Sequence, residues 1–559
     1  MSTSRDKSKR SVGRRSTKAC DTCHRRGRKC QVDREPAICL FCRHNGLACT
    51  WNRVPAKRGP KPKNSKSDEK RPCNSATNDH PKTAWVLDEA VHGSRVTLTT
   101  LIRSYFDFVY PISNDRSNYV HEQTFMERWT SQQMPSSKAS YGLLMAMCSL
   151  AAYRIQKGIA PATVGFARHL KPQVYLQEAI SSVDLSLAVQ KQTEELQAVA
   201  LLCVTGLEKG DAALLQQYLG LYHATVANQS LYDENRWPPS MHDMEKEQRR
   251  RLYWYMYRLE VHTALVMGHP VRCPELESLV AYPQIPDFDR FGGNYGEGSE
   301  AINDNDEVEW LTGWNFVTDL YRGLEHLLAK FRPRRLSTHH SRIGPGSTLP
   351  TVFLIDFDPE SKILMPLKAA LNKLPIRFRH AQPLSSNVSL NRCGFQATNI
   401  VCTYQLVRIM VYAFSKATFS QACRTAIDLV EDMASIPMDY LKWTTLAATQ
   451  ELSGIGHMLW QFMRQDLVTA DYHELRSALL CIKEYLESLQ SSFTYVRRAS
   501  MRMGKYVEEI DQVLLSRERE HTHQQDSCIQ KDDGMKQQQS NMPFPDQDTS
   551  HAWRDVFSD

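Results

Sequence analysis

Six cysteines between Cys20 and Cys49 carry the most specific chemistry in this sequence. They read A-C-D-T-C-H-R-R-G-R-K-C-Q-V-D-R-E-P-A-I-C-L-F-C-R-H-N-G-L-A-C, a C-x2-C-x6-C-x8-C-x2-C-x6-C spacing in which one half repeats the other. A C-x2-C pair opening a helical turn lets two sulfurs converge on one tetrahedral metal, and a third thiolate six residues on closes back to it. Two tetrahedral zinc ions need more ligand positions than Cys20, Cys23, Cys30, Cys39, Cys42 and Cys49 supply singly, so two sulfurs must bridge both metals. The result is a binuclear cluster whose residual negative charge the surrounding Arg and Lys offset. No position stays open for water, which makes the zinc structural. A segment of about 30 residues cannot bury enough apolar surface to fold alone, and metal binding on the order of 10–16 kcal/mol supplies the missing stability. A disulfide knot is disfavoured by the basic residues between the cysteines and by the polar start MSTSRDKSKR, which lacks the apolar segment of a secretion signal.

The elements that position these cysteines must be very different from the rest of the chain. The 559 residues carry 69 Lys and Arg against 62 Asp and Glu, a formal +7. Residues 1–72 hold 21 basic and 6 acidic side chains, a net of +15, leaving 48 against 56, or −8, for residues 73–559. The other cysteines, Cys73, Cys148, Cys203, Cys273, Cys393, Cys402, Cys423, Cys481 and Cys528, are isolated, many in apolar helical text, as expected of small hydrophobes. A composition 42% hydrophobic and 23% charged describes neither a collagen-like nor a wholly disordered chain. The longest nearly uncharged apolar stretch, 143–153, is too short to cross roughly 30 Å of hydrocarbon, so no membrane partner is expected.

The hexacysteine pattern, with Pro36 in its central loop, resembles the fungal Zn2Cys6 binuclear-cluster transcription factors. The resemblance implies two structural Zn2+ ions bridged by Cys20 and Cys39, with Cys23 and Cys30 completing one site and Cys42 and Cys49 the other. It also implies that the first short helix enters the major groove of double-stranded DNA and presents the x6 loop to a short G/C-rich triplet. That loop is His24, Arg25, Arg26, Gly27, Arg28 and Lys29. Arg26 is the candidate for bidentate contact with guanine, because only Arg offers a planar fork, while Arg25, Arg28 and Lys29 clamp phosphates. Arg43 is the matching basic candidate in the second half. Gly27 stands where the family usually has lysine, three residues before the third cysteine, so that base contact is absent. Gly27 and Gly46 occupy the same offset in the two halves and are expected to end their helices in the left-handed conformation.

Downstream, K-R-G-P-K-P-K from Lys57 supplies an extended basic arm, with Lys57 and Arg58 as DNA contacts, and resembles minor-groove hooks; the same composition suits nuclear import. Residues 64–93 are polar, without heptads, and read as linker. Without a coiled coil there, the module binds as a monomer or dimerises through the large domain.

From Leu98 the text turns helical: Leu98, Leu101, Ile102, Tyr105, Phe106 and Val109 mark one face, ended by Pro111. Further helices are expected near 141–156, 192–206, 211–231, 245–267, 306–333, 396–418, 420–434, 440–465 and 472–515. Two passages resemble the middle homology region of the same fungal regulators: L-I-R-S-Y-F-D-F-V-Y-P-I with V-H-E-Q-T-F-M-E-R-W, and E-Q-R-R-R-L-Y-W-Y-M-Y-R-L-E with M-G-H-P. In the second, Leu252, Tyr253, Met256, Leu259 and Leu265 suit one buried face, and Arg249, Arg250 and Arg251 are expected to be solvated or paired with Glu245 and Glu247. The resemblance implies a regulatory role for this domain.

Catalytic motifs are missing from the text: there is no H-E-x-x-H, G-x-S-x-G or P-loop, and G-G-N-Y-G-E-G at 292–298 follows no strand and reads as a surface loop. His339 and His340 lack a ligand partner at metal spacing. The protein is therefore not expected to be an enzyme. The C-terminus turns Gln- and Asp-rich, and Trp553, Val556 and Phe557 could share one helical turn as an activation segment that docks on a coactivator.

The expected fold is mainly all-α, with a small N-terminal cluster, a large α-helical regulatory domain and disordered tails. Its divisions are a basic arm (1–19), the Zn2Cys6 DNA-binding domain (20–50), a basic linker (51–95), the helical domain (96–515) and an acidic, aromatic tail (516–559). The expected function is nuclear, sequence-specific control of RNA polymerase II transcription, as an activator of a pathway-specific gene set such as a secondary-metabolite cluster. The alternatives are control of sugar or nutrient use, and a metabolite-binding or interaction protein tethered to chromatin by its zinc module.

Overall fold

The computed structural model describes residues 19–25, 30, 38–51, 85–109, 119–188, 191–284, 304–338, 358–413, 418–461, 463, 467–489 and 496–528. The chain forms two compact units, residues 1–80 and 81–559. The described residues are helical, and their β-type pairing is the single bridge between Asp233 and Leu279. The mainly all-α expectation holds. None of the described helices is long and apolar enough to cross a membrane.

The first unit contains two one-turn helices, α1 (Asp21–Arg25) and α2 (Leu40–His44). Each begins directly after the first cysteine of a C-x2-C pair, as the duplicated sequence requires. Gly46, just beyond α2, has φ +60°, the left-handed stop expected of it. Its counterpart Gly27 lies outside the described residues.

The second unit begins earlier in sequence than the helical text does. Residues 85–94, within the stretch read as linker, contain α3 (Glu89–His92), and His92 is buried there. Its ring Nε2 meets the Tyr141 hydroxyl at 3.2 Å, and its carbonyl accepts from the Tyr175 hydroxyl at 2.7 Å. α4 (Arg95–Ser104) buries Leu98, Leu101 and Ile102, followed by buried Tyr105 and Phe106, in agreement with their spacing. The regular period breaks at 105–109, where the backbone widens into a π turn. α5 (Glu122–Thr130) supplies Phe125 and Trp129; the Trp129 indole donates to Thr99 at 2.9 Å.

α6 (Lys138–Gln156) is buried on every side from Ser140 to Ala152, because its L-L-M-A-M-C-S-L-A-A run has no polar face to give to water. α7 (Val164–His169) and α8 (Pro172–Ser182) follow, then α9 (Thr193–Lys209), which with α8 packs on α6. α10 (Ala212–Asn228) returns along α9. That crossing requires Gly206: a Cβ there would sit 2.7 Å from the Leu215 backbone nitrogen.

α11 (Asp243–Met267) leads toward the C-terminal half through contacts with α12 (Asp304–Thr338). Leu252, Tyr253, Met256 and Leu259 are buried as expected, and Leu265 is half-buried. The arginine run departs from the solvated alternative. Arg249 does pair with Glu245 at 3.3 Å. Arg250 and Arg251 pair with Glu247 at 3.6 and 2.7 Å, as expected; beyond that expectation, Arg250 also grips Glu234 through two bonds of 2.7 and 2.8 Å, and Arg251 is only 3% exposed. The M-G-H-P passage also gains a physical role. Gly268 ends α11 at φ +74°, and the turn after it swings Arg272 back onto Glu260, whose Oε1 accepts from the Arg272 amide and Nε at 2.9 and 3.0 Å. Burial works against the Glu260 anion, but His223, 3.2 Å from Oε2, with Arg272 and His269 outweighs it and holds the carboxyl at about 2.

The remaining helices are α13 (Met365–Lys373), α14 (Val388–Tyr412), α15 (Phe419–Ser435), α16 (Met438–Gln461), α17 (Thr469–Leu489) and α18 (Val496–Cys528). α12 packs on α14, α14 on α15, α15 on α17, and α17 on α18. The single run expected at 472–515 is thus two helices, and α18 continues past 515 into the stretch read as tail. Among the isolated cysteines, Cys148, Cys203, Cys393, Cys402 and Cys423 are buried and Cys273 and Cys481 half-buried. Burial pushes up the thiols of Cys148, Cys203, Cys273, Cys402, Cys423 and Cys481.

Candidate metal centre and DNA interface

Each half of the first unit folds its cysteines the same way. The Cys23 amide donates to Cys20 Sγ at 3.4 Å and the Cys42 amide to Cys39 Sγ at 3.3 Å, so the first sulfur of each pair caps its own helix. The third sulfur of each half turns back to the first residue: Cys20 N donates to Cys30 Sγ and Cys39 N to Cys49 Sγ, both at 3.4 Å. Duplicated spacing has become duplicated geometry.

Between the halves, Cys20 Sγ lies 3.7 Å from Cys39 Sγ and 3.8 Å from Cys42 Sγ, and Cys23 Sγ lies 3.6 Å from Cys39 Sγ. A tetrahedral zinc with Zn–S near 2.3 Å has S···S edges of about 3.8 Å. The residues therefore fit tetrahedral zinc thiolate coordination. The sulfurs of Cys20, Cys23, Cys39 and Cys42, all buried, lie within 4.8 Å of one another. Cys23 and Cys42 each lie within 3.8 Å of one sulfur of the opposite half, Cys20 and Cys39 each of two.

The same two thiols are the readiest to ionise. Burial opposes the Cys39 thiolate, but the Cys42 amide and the thiols of Cys42, Cys23 and Cys20 outweigh it and bring Cys39 down to about 6. At Cys20 burial is likewise overcome, first by the Cys23 amide, and the thiol is lowered. Burial leads the opposite shift at the others: Cys30 rises to about 11, Cys42 to about 12, and Cys23 and Cys49 also rise.

Of the candidate DNA contacts, Arg25 is exposed in the last turn of α1 and Arg43 in the last turn of α2, each two or fewer positions beyond a cysteine of the core. Arg26, Arg28, Lys29, Lys57 and Arg58 lie outside the described residues, as do G-G-N-Y-G-E-G, His339, His340 and the Trp553–Phe557 segment. Sequence reading missed Phe41, Leu47 and Trp51, which pack half-buried against the sulfurs. A small apolar lid was legible only as scattered hydrophobes, because no period links them.

Comparison with known families finds a match within each unit. Residues 18–59 match the fungal Zn(2)-Cys(6) binuclear cluster domain, and residues 102–327 match the fungal specific transcription factor domain. The chain thus carries a segment matching a Zn(2)-Cys(6) binuclear cluster domain followed by one matching a fungal specific transcription factor domain. Among curated proteins it is similar to the glucose transport transcription regulator RGT1 of Vanderwaltozyma polyspora, 46% identical over 48 residues, 9% of this chain and 5% of that protein. The regulator of the same name from Candida glabrata is 46% identical over 55 residues, 10% of this chain and 4% of its own. That from Eremothecium gossypii is 47% identical over 51 residues, 9% and 6% respectively. The chain thus matches only about a twentieth of these relatives' length.

Proposed function

We propose that this protein binds a short DNA sequence through a binuclear zinc cluster and activates RNA polymerase II transcription of a pathway-specific gene set in the nucleus. Cys20, Cys23, Cys30 and Cys39 hold one zinc and Cys39, Cys42, Cys49 and Cys20 the other. The observation that carries this reading is the close approach of Cys20 and Cys39 to sulfurs of the opposite half, at tetrahedral edge lengths. The ions fix the fold of the module; the chain's own residues do the reading. Arg26 contacts guanine, and Arg25, Arg28, Lys29, Arg43, Lys57 and Arg58 contact the backbone. The helical unit regulates the module and can bring two copies together, and the acidic, aromatic tail recruits a coactivator.

A secondary-metabolite gene cluster is the leading target class. Control of sugar or nutrient genes is the second, supported by the glucose-transport regulators, whose similarity is confined to the cluster region. Genome-wide occupancy, compared with the functions of neighbouring genes, separates the two.

The DNA reading is tested by binding-site selection with the full chain. Wild type should enrich one short motif. Arg26→Ala should lose about 1–3 kcal/mol of discrimination at one base pair, whereas Lys29→Ala should weaken binding to all sequences alike. Equal loss of selectivity in both variants would overturn the division of roles, and no enrichment by wild type would overturn DNA reading itself.

A further inference from the structure

The two halves of the cluster repeat each other in sulfur geometry but not in how their helices are held. At the start of α1, the Asp21 amide donates to the Thr50 carbonyl at 2.8 Å, and the Thr50 hydroxyl donates back to Asp21 Oδ2 at 2.8 Å. Beside them the Thr22 hydroxyl donates to the Ala48 carbonyl, again at 2.8 Å. Three hydrogen bonds therefore tie the first turn of α1 to the chain that runs through and past Cys49. The corresponding positions of α2 are Leu40 and Phe41, whose side chains cannot hydrogen-bond; Phe41 instead lies half-buried on the sulfurs.

The metal alone leaves α1 underdetermined. Cys20 and Cys23 bracket the two residues at its start, and two ligand sulfurs define an axis about which a one-turn helix can still rock. Asp21 and Thr22 sit between those ligands and bond to residues 48–50 of the other half, off that axis. Such a contact removes the remaining freedom, and side chains that read base edges need to be held to within about half an ångström. The same bonds hold Thr50 beside α1, and Trp51 after it lies half-buried against the sulfurs.

We infer that Asp21, Thr22 and Thr50 are positioning residues for sequence discrimination, a polar latch that fixes the angle of α1 on the second half of the cluster. This rests on the DNA-reading proposal above. The latch acts through the angle of α1, whose last turn carries Arg25, and it need not touch DNA itself.

The test uses the full chain carrying Thr22→Val and Thr50→Val together, an isosteric loss of both hydroxyls that leaves the Asp21–Thr50 backbone bond in place. Bound zinc per chain, affinity for a random duplex, and affinity for the selected site against its single-base variants are measured in parallel. The double variant should keep its zinc and its random-duplex affinity, while its preference for the selected site falls about tenfold. Thr22→Ser with Thr50→Ser, which restores both hydroxyls, should recover that preference. Wild-type preference in the valine variant would overturn the latch, as would zinc loss in step with preference, since the bonds would then only support the scaffold. A wild type that prefers no sequence would instead overturn the DNA reading and the latch with it, while wild-type selection with an unaffected valine variant removes the latch alone.

Discussion

The cysteine unit and the helical unit reach a fixed structure by opposite means. In the first, four buried sulfurs form the centre, and among the described residues Phe41, Leu47, Trp51 and a few small neighbours pack around them. In the second, an apolar core runs from Leu98 to Leu514, with α6 and α9 buried through most of their length. Coordination bonds are few, strong and directional; apolar contacts are many, weak and indifferent to direction. The first unit should therefore fail all at once when one ligand is lost, and the second should lose stability in steps. The largest expected effect follows directly. Chelating zinc from the full chain, or replacing Cys39 with Ser, should abolish DNA binding while the far-UV helical signal and the thermal transition of the helical unit stay within error of wild type. A helical unit that melts with the metal would erase the contrast.

What was legible in the sequence divides along the same line. Metal ligation is set by spacing within about thirty residues, so the cluster could be read directly from C-x2-C-x6-C. The period that exposed α4 works for the same reason, since Leu98, Leu101 and Ile102 share a face whatever they later touch. Partners distant in sequence were not legible. Arg250 is surrounded by charged neighbours in the text, and nothing there says that it grips Glu234, 16 residues away. Glu260 reads as one more helical carboxylate until α10 supplies His223 and the turn after Gly268 supplies Arg272. The latch at Asp21 and Thr50 joins residues 29 apart by hydrogen bonds that leave no periodic trace.

The comparison sharpens at the helix crossings, where the helical unit is least forgiving. Gly206→Ala places a methyl 2.7 Å from the Leu215 nitrogen and 3.0 Å from its Cα, both backbone atoms that cannot swing away. α9 and α10 must separate, and overpacking of this kind costs about 1–3 kcal/mol or more. The expected result is a clear fall in the melting temperature of the helical unit with zinc content and DNA affinity retained. An unchanged transition would mean that the α9–α10 crossing has slack.

A largely buried carboxyl gives the helical unit a pH response that the apolar packing lacks. Burial lifts Glu451 to about 7, and His262 Nδ1, at 3.7 Å, is too far to hydrogen-bond it. A folded value above the unfolded one means that folding favours the protonated acid. The associated stability is present below the ordinary value near 4.5 and is lost as pH rises through about 7. Glu451→Gln mimics the protonated acid, so it should stabilise the helical unit at pH 8, by up to about 3 kcal/mol, and have little effect at pH 5. Thermal melts of both proteins across that range check the sign, and equal differences at the two pH values would refute it.

The smallest effect returns to the cysteine unit and to a glycine kept for a different reason. Gly46 has φ +60° and nothing within 4 Å of where a Cβ would stand, so Gly46→Ala meets no clash. Its cost is conformational alone, about 1–2 kcal/mol for an L-residue in the left-handed region. In a unit fixed by metal, that cost should appear as a loss of about tenfold in zinc affinity, with the fold and the selected DNA sequence unchanged once zinc is saturating. Competition with a zinc indicator measures it. Gly206 and Gly46 would then separate the two units at single atoms, one glycine keeping two helices close and the other turning the chain back toward Cys49. If Gly46→Ala also changed the selected sequence, the second half would help to orient the reading helix through its turn, and the latch would not be the sole tie between the halves that matters for discrimination.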